Sequence, residues 1–123
     1  MGARQPNDAM TNREIAERFL QLFCEGNLTG LESLLDENLS FRGPLLSAAS
    51  RQEYMQALRA SPPVPTPYRI VSLTEDAEDQ VAVLWEYHRD GQSVHIEQLF
   101  SFRDRRIVDI VLMFAPLMKG PRQ

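Results

Sequence analysis

Asp109 and Gln98 are the two residues whose chemistry most needs explaining, because both are expected inside an apolar wall. Asp90-Gly91 is a two-residue hairpin signal, since that pair tolerates the positive φ angles of a type I′ turn. With the turn there, Glu86 faces His95, Tyr87 faces Val94 and Trp85 faces Ile96. Strand alternation then puts Val81, Val83, Trp85 and Tyr87 on one face with Val94, Ile96, Gln98, Phe100 and Phe102. A second turn at Asp104-Arg105 adds Ile107, Asp109, Val111 and Met113 to that face. An apolar surround disfavours an ionised carboxylate and moves it toward the range useful for proton transfer. A glutamine in the same wall offers an amide donor that needs no titration, and burying it without a partner costs about 1–3 kcal/mol. The alternative for Asp109 is solvent, or an arginine partner, near the open end of its strand.

The opposite face places Glu86 across from His95 and His88 across from Ser93. Two histidines near glutamates invite a metal reading, but cross-strand charge pairing explains Glu86 and His95 better, so no metal site is expected. Ala82, Leu84, Leu99, Ile110 and Leu112 on that face are too apolar for open solvent, which points to a homodimer formed through the outer sheet face. Cys24 is the only cysteine. It lies on a helix face beside Phe23 and reads as a buried, inert thiol.

The elements that position these residues can be taken in order. Thr11 or Asn12 caps a first helix with Ile15, Phe19, Leu22 and Phe23 in one stripe, stopped by Gly26-Asn27. A second helix runs from about Thr29 to Asp36, and Leu39 to Arg42 forms a short strand ended by Gly43-Pro44. Leu45 to Ala49 reads as a loop. Ser50-Arg51-Gln52-Glu53 is a capping box for a third helix reaching about Ala60, with Tyr54 and Leu58 facing inward. The four prolines between Ser61 and Pro67 make an extended connector. Tyr68 to Leu73 is a strand, Thr74 to Asp79 an acidic turn, and the three-strand meander follows. Helices in one block and strands in another give α+β, with three N-terminal helices packed on a strongly curved, mainly antiparallel sheet. Residues 1–10 and 117–123 read as tails around a single domain at 11–116.

A formal net charge of -4 argues against a nucleic-acid surface. Arg103, Arg105 and Arg106 cluster at a turn and read as solvated. No apolar run approaches the roughly 20 residues of a membrane span, and residues 1–10 lack the apolar core of a signal peptide. A cytoplasmic protein is the expectation.

The run Arg18-Phe19-Leu20-Gln21-Leu22-Phe23-Cys24-Glu25-Gly26-Asn27-Leu28, followed by Leu34 to Pro44, resembles the opening of the SnoaL-like proteins. Phe100-Ser101-Phe102-Arg103-Asp104 and Ile107-Val108-Asp109-Ile110 resemble that family's last two strands. The resemblance covers roughly Thr11 to Pro116 and implies the cone-shaped nuclear transport factor 2-like fold, shared with ketosteroid isomerase, limonene epoxide hydrolase and scytalone dehydratase. It implies an apolar pocket, often in a homodimer, and no cofactor. It does not imply one activity.

The ketosteroid isomerase pattern needs an aspartate base with a tyrosine and a protonated aspartic acid as the oxyanion hole. On that pattern Gly43 falls at the base, Phe19 at the tyrosine and Gln98 at the protonated acid. Glycine takes no proton and phenylalanine donates no hydrogen bond, so that mechanism is disfavoured. An epoxide hydrolase needs two carboxylates bridged by an arginine around a water, and Asp109 is alone. The resemblance to SnoaL-type cyclases implies one carboxylate that abstracts a proton from an activated carbon. Asp109 would be that base, with Gln98 polarising a carbonyl. Phe19, Phe41, Tyr54, Trp85, Tyr87, Ile96, Phe100 and Met113 would line the pocket.

Two readings therefore stand side by side. One is a cofactor-free acid/base enzyme for cyclisation, isomerisation or dehydration of a small hydrophobic, carbonyl-bearing molecule. The other is a non-catalytic module of the same fold that binds a ligand or pairs subunits.

Overall fold

The computed structural model describes residues 10–114 except Ala77. Helix α1 (Asn12–Glu25) begins at Thr11, whose hydroxyl accepts from the Glu14 N–H at 3.1 Å while the Glu14 carboxylate accepts from the Thr11 N–H at 2.9 Å. This reciprocal cap satisfies two otherwise unpartnered donors. Gly26, at φ 78, closes the helix in the left-handed conformation that glycine adopts without a Cβ clash. Helix α2 (Leu28–Glu32) is shorter than the expected Thr29–Asp36, because Leu35 already pairs with Ile107 in the sheet. Helix α3 (Arg51–Ala60) starts where expected, with Ser50 accepting from the Glu53 N–H. The Glu53 carboxylate, however, takes the N–H of Ala49 at 2.8 Å rather than that of Ser50.

Among the described residues six strands form one sheet: β1 (Leu35–Arg42), β2 (Ser47–Ala48), β3 (Tyr68–Glu75), β4 (Gln80–Arg89), β5 (Gln92–Arg103) and β6 (Arg106–Phe114), in the order β2-β1-β6-β5-β4-β3. The chain is α+β: among the described residues three helices lie against a curved, unclosed sheet. Antiparallel pairing dominates, and β1 alone runs parallel to its neighbour β6. The segment expected as a loop at 45–49 supplies β2, which pairs with β1 through Ala48 and Phe41.

The β4–β5 hairpin has the expected register, with Glu86 opposite His95 and Trp85 opposite Ile96. Asp90 and Gly91 both have positive φ, 55 and 77. The β5–β6 register differs from the expectation. Phe102 pairs with Ile107, but Ser101 pairs with Asp109, so Val108 is an extra residue at a bulge. Beyond it Ile110, Leu112 and Phe114 lie opposite Phe100, Gln98 and Ile96 on the inner face, and Asp109, Val111 and Met113 turn outward. The physical reason is the carboxylate: facing the helices, it would be stripped of water without a partner. The bulge keeps it out and leaves Ile110 fully buried.

Helices α1 and α3 cover the inner face. Phe19 meets Phe100 edge-on at 5.2 Å, and Phe41 stacks on Tyr54 at 4.8 Å. Met10, expected in the N-terminal tail, packs against this core. The rest of that tail and the expected tail at 117–123 lie outside the described residues. Among the described residues no helix is long and apolar enough to cross a membrane.

Candidate ligand-binding site

Trp85 and Gln98 are diagonal neighbours on the inner face, since Trp85 pairs with Ile96 and Gln98 with Val83. That spacing lets the indole N–H of Trp85 donate to Gln98 Oε1 at 2.8 Å. Each residue is only 2% exposed. The indole is held by Tyr68, edge-on at 6.1 Å, and by Tyr87 at 5.8 Å.

A cavity of about 470 Å³ lies over this pair. Its sheet side is Trp85, Tyr87, Ile96, Gln98, Leu112 and Phe114, joined by Phe41 and the turn after β1. Phe19, Phe23 and Cys24 come from α1, Tyr54 and Leu58 from α3, and the proline connector supplies Pro62, Pro63 and Val64. The cavity reaches the surface beside Leu45, Val64 and Phe114, three of the large apolar side chains that the described fold leaves exposed. Ionisable groups with ordinary charged states are absent from its described lining: it has no Asp, Glu, His, Lys or Arg. Burial pushes the Cys24 thiol up to about 11 and the Tyr54 phenol well above its usual range, so both are neutral near pH 7.

Of the residues expected to line a pocket, Phe19, Phe41, Tyr54, Trp85, Tyr87, Ile96 and Gln98 do so. Phe100 is fully buried beneath Phe19 and belongs to the core instead. Met113 is on the outer face and half exposed, because of the bulge. Asp109, placed by sequence on the inner face, also stands outside. Its Oδ2 lies 3.4 Å from Arg42 Nη2, with the arginine 66% and the aspartate 24% exposed. This corrects the geometry on which its role as base was argued. Ile110 and Leu112, expected outside, face inward for the same reason.

Leu112, Phe114, Phe23, Cys24, Leu58, the turn after β1 and the proline connector are wall residues outside the set expected from sequence. After Asp109 every residue of β6 is apolar, so alternation alone cannot choose a face. The usable signal was Asp109 itself, since its charge marks the outer parity.

The outer face carries a polar cluster centred on Glu86. Arg69 Nε donates to its Oε2 at 2.9 Å, and His95 Nε2 lies 2.9 Å from its Oε1. The bond from Arg69 holds the Glu86 carboxyl below the usual glutamate range, against the smaller opposing effect of burial and with help from the charges of Arg69, His95 and His88. His88 uses Nδ1 toward the Ser93 hydroxyl at 3.0 Å. The expected cross-strand pairing of Glu86 with His95 is present, with the two side chains in direct contact. Among the described residues no three His, Cys, Asp or Glu side chains are grouped to hold a metal ion.

Comparison with known proteins follows the same outline. The family model described as a SnoaL-like domain matches residues 16–110. No curated protein matches the chain. Among solved structures, a nuclear transport factor 2-like protein of unknown function from Cytophaga hutchinsonii is 18% identical, with a TM-score of 0.73 over 94% of this chain and 96% of that one. A candidate SnoaL-like polyketide cyclase from Shewanella putrefaciens is 11% identical, with a TM-score of 0.74 over 93% of this chain and 92% of that one. A protein of ketosteroid isomerase-like fold from Catenulispora acidiphila, solved with trimethylamine, is 15% identical, with a TM-score of 0.69 over 83% and 85%. At these identities the likeness is one of fold.

Proposed function

The chain belongs to the SnoaL-like domain family, and from that premise we propose that it binds a small hydrophobic, carbonyl-bearing molecule without transforming it. The observation that carries this reading is the lining of the cavity: aromatic and aliphatic walls around Gln98, with no carboxylate or histidine among the described residues to move a proton. At about 470 Å³ the space is roughly three times the ~150 Å³ apolar cavity that accepts benzene, which suits two or three fused rings. Apolar burial supplies affinity, and the amide orients the one polar group. Proton transfer is the weaker reading, because it needs a base and Asp109 faces away.

The test uses Trp85, the only tryptophan, as its own reporter. Titration with 2-decalone should quench or shift its fluorescence saturably, with a dissociation constant in roughly the micromolar to millimolar range. In D₂O the ketone's α-protons should exchange no faster with protein than without. Saturable binding with accelerated exchange that is lost in Asp109→Asn would restore the enzyme reading. No saturable binding by apolar ketones of this size would end the binding reading.

A second copy of the chain is the partner we propose for the outer sheet face. Leu84, Leu99 and Val111 are half-buried there and Val71 and Met113 exposed. The Arg69–Glu86–His95 and Arg42–Asp109 pairs neutralise one another within the face, so like can meet like without repulsion. Light scattering should give twice the chain mass at micromolar concentration and the single mass for Leu99→Glu. A single mass for the wild type at every concentration would refute the contact.

A further inference from the structure

A buried carboxamide is nearly symmetric in shape but not in chemistry: one end accepts hydrogen bonds and the other donates them. Which end meets a ligand decides which ligands fit. At Gln98 the choice is made by its neighbour. An indole N–H can only donate, so at 2.8 Å it must be met by Oε1. The NH₂ group is thereby turned to the other side of a residue that lines the cavity.

Turning the amide over would set two donors against each other in a site 2% exposed, leaving a buried N–H without an acceptor. Rotating the indole away is opposed by Tyr68 and Tyr87, which pack against it. The lock therefore belongs to β4 and the group it locks to β5, both rigid strands of the same hairpin. On the connector side, the Thr66 hydroxyl is already committed, donating to the Val64 carbonyl at 2.6 Å.

We propose that Trp85 is a positioning residue that fixes the hydrogen-bonding polarity of the cavity, so that the site selects ligands presenting an acceptor over ligands of the same shape presenting only a donor. This rests on the binding reading above and sharpens it. A ketone, lactone or quinone oxygen meets the Gln98 NH₂. A pyrrole-type N–H finds no free acceptor at Gln98, whose oxygen is held by Trp85, and is disfavoured there.

Three bicyclic probes of near-identical outline separate the terms: 1-indanone has only an acceptor, indole only a donor, and indane neither. Binding is followed by ¹⁵N NMR through the single Trp85 indole N–H and the Gln98 side-chain NH₂ resonances. The wild type should bind 1-indanone about tenfold more tightly than indole, the factor that corresponds to about 1.4 kcal/mol, and indole no more tightly than indane. The NH₂ resonances should move with 1-indanone and not with indane. In Trp85→Phe the amide is free to turn, and the preference for 1-indanone over indole should fall to about threefold or less. The extra space left by phenylalanine is common to all three probes, so it cancels in the ratio. Gln98→Leu should abolish the preference.

The wild-type ratio alone can overturn the proposal, even where a variant fails to fold. Equal affinity for 1-indanone and indole, with both bound in the cavity, refutes the polarity assignment and leaves the binding reading standing. An undiminished preference in folded Trp85→Phe refutes the role of the tryptophan. Failure of all three probes to bind removes the binding reading, and this inference with it.

Discussion

Leucine in place of Gln98 tests the buried pair through stability rather than through ligand. The substitution keeps the approximate volume but leaves the Trp85 indole N–H facing hydrocarbon. A buried donor deprived of its acceptor costs about 1–3 kcal/mol. Because the pair lines a cavity that reaches the surface beside Leu45 and Val64, water can partly replace the lost acceptor. The lower half of that range, about 1–2 kcal/mol, is expected. For a domain of this size that is a fall in melting temperature of roughly 4–10 °C. Trp85→Phe strands the Gln98 oxygen in turn and adds a small cavity term, so it should cost more. Replacing both partners removes the mismatch, since two apolar groups need nothing from each other. The double variant should therefore be more stable than the sum of the singles by about 1–2 kcal/mol. Urea unfolding of the four proteins, with m-values compared to confirm a common unfolded state, measures this. Additivity to within about 0.3 kcal/mol would mean that the two side chains do not interact in solution, and the argument for a fixed amide would fall.

Three further outcomes follow from the geometry. Asp109→Asn should change stability by less than about 1 kcal/mol, as for exposed ion pairs generally, and should leave 2-decalone affinity unaltered; a large loss of affinity would contradict the outer placement. Gly91→Ala should lose about 1 kcal/mol in urea unfolding although no atom lies within 4 Å of the added Cβ, because φ +77 is costly for any residue with a side chain; a neutral result would dispute the type I′ geometry. The lowered Glu86 carboxyl stabilises the fold fully above the ordinary glutamate value of about 4.3, and that contribution is lost as pH falls through its lowered folded value. The urea midpoint of the wild type should therefore drop more steeply between about pH 5 and pH 3 than that of Glu86→Gln, and parallel curves would contradict the Arg69 bond.

What could be read from the sequence was what local chemistry decides. The Asp90-Gly91 turn fixed every pair of the β4–β5 hairpin, because a two-residue connection leaves no slack in register. The cap hydroxyls of Thr11 and Ser50 were equally legible, but the reciprocal bond from a glutamate three residues on forms only at Thr11, because Glu53 takes the Ala49 N–H instead. The site was half legible. Gln98, Trp85, Tyr87 and Ile96 share a face by alternation within one hairpin, and they line the cavity together. The misreadings arose where distant parts of the chain decide. The early end of α2 is set by the pairing of Leu35 with Ile107, some 70 residues away. The face of β6 is set by the cost of burying Asp109 against helices that its own strand does not encode. The connector at Ser61 to Pro67 was correctly read as extended, but its part in the cavity wall depends on where α3 delivers it.

The bulge at Val108 also bears on how this chain can be compared with distant relatives. It is a point where strand length and strand phase come apart: a homologous strand lacking that extra residue would keep the same residues inward while its count from the Asp104-Arg105 turn is one shorter. Aligning such a strand gap-free from the turn would match Asp109 with the relative's counterpart of Ile110, and would carry an inward role onto an outward residue. For strands as uniformly apolar as this one, no score based on hydrophobicity would register the error. Correspondence past the bulge is better anchored on the pairing of Ser101 with Asp109 than on distance along the chain.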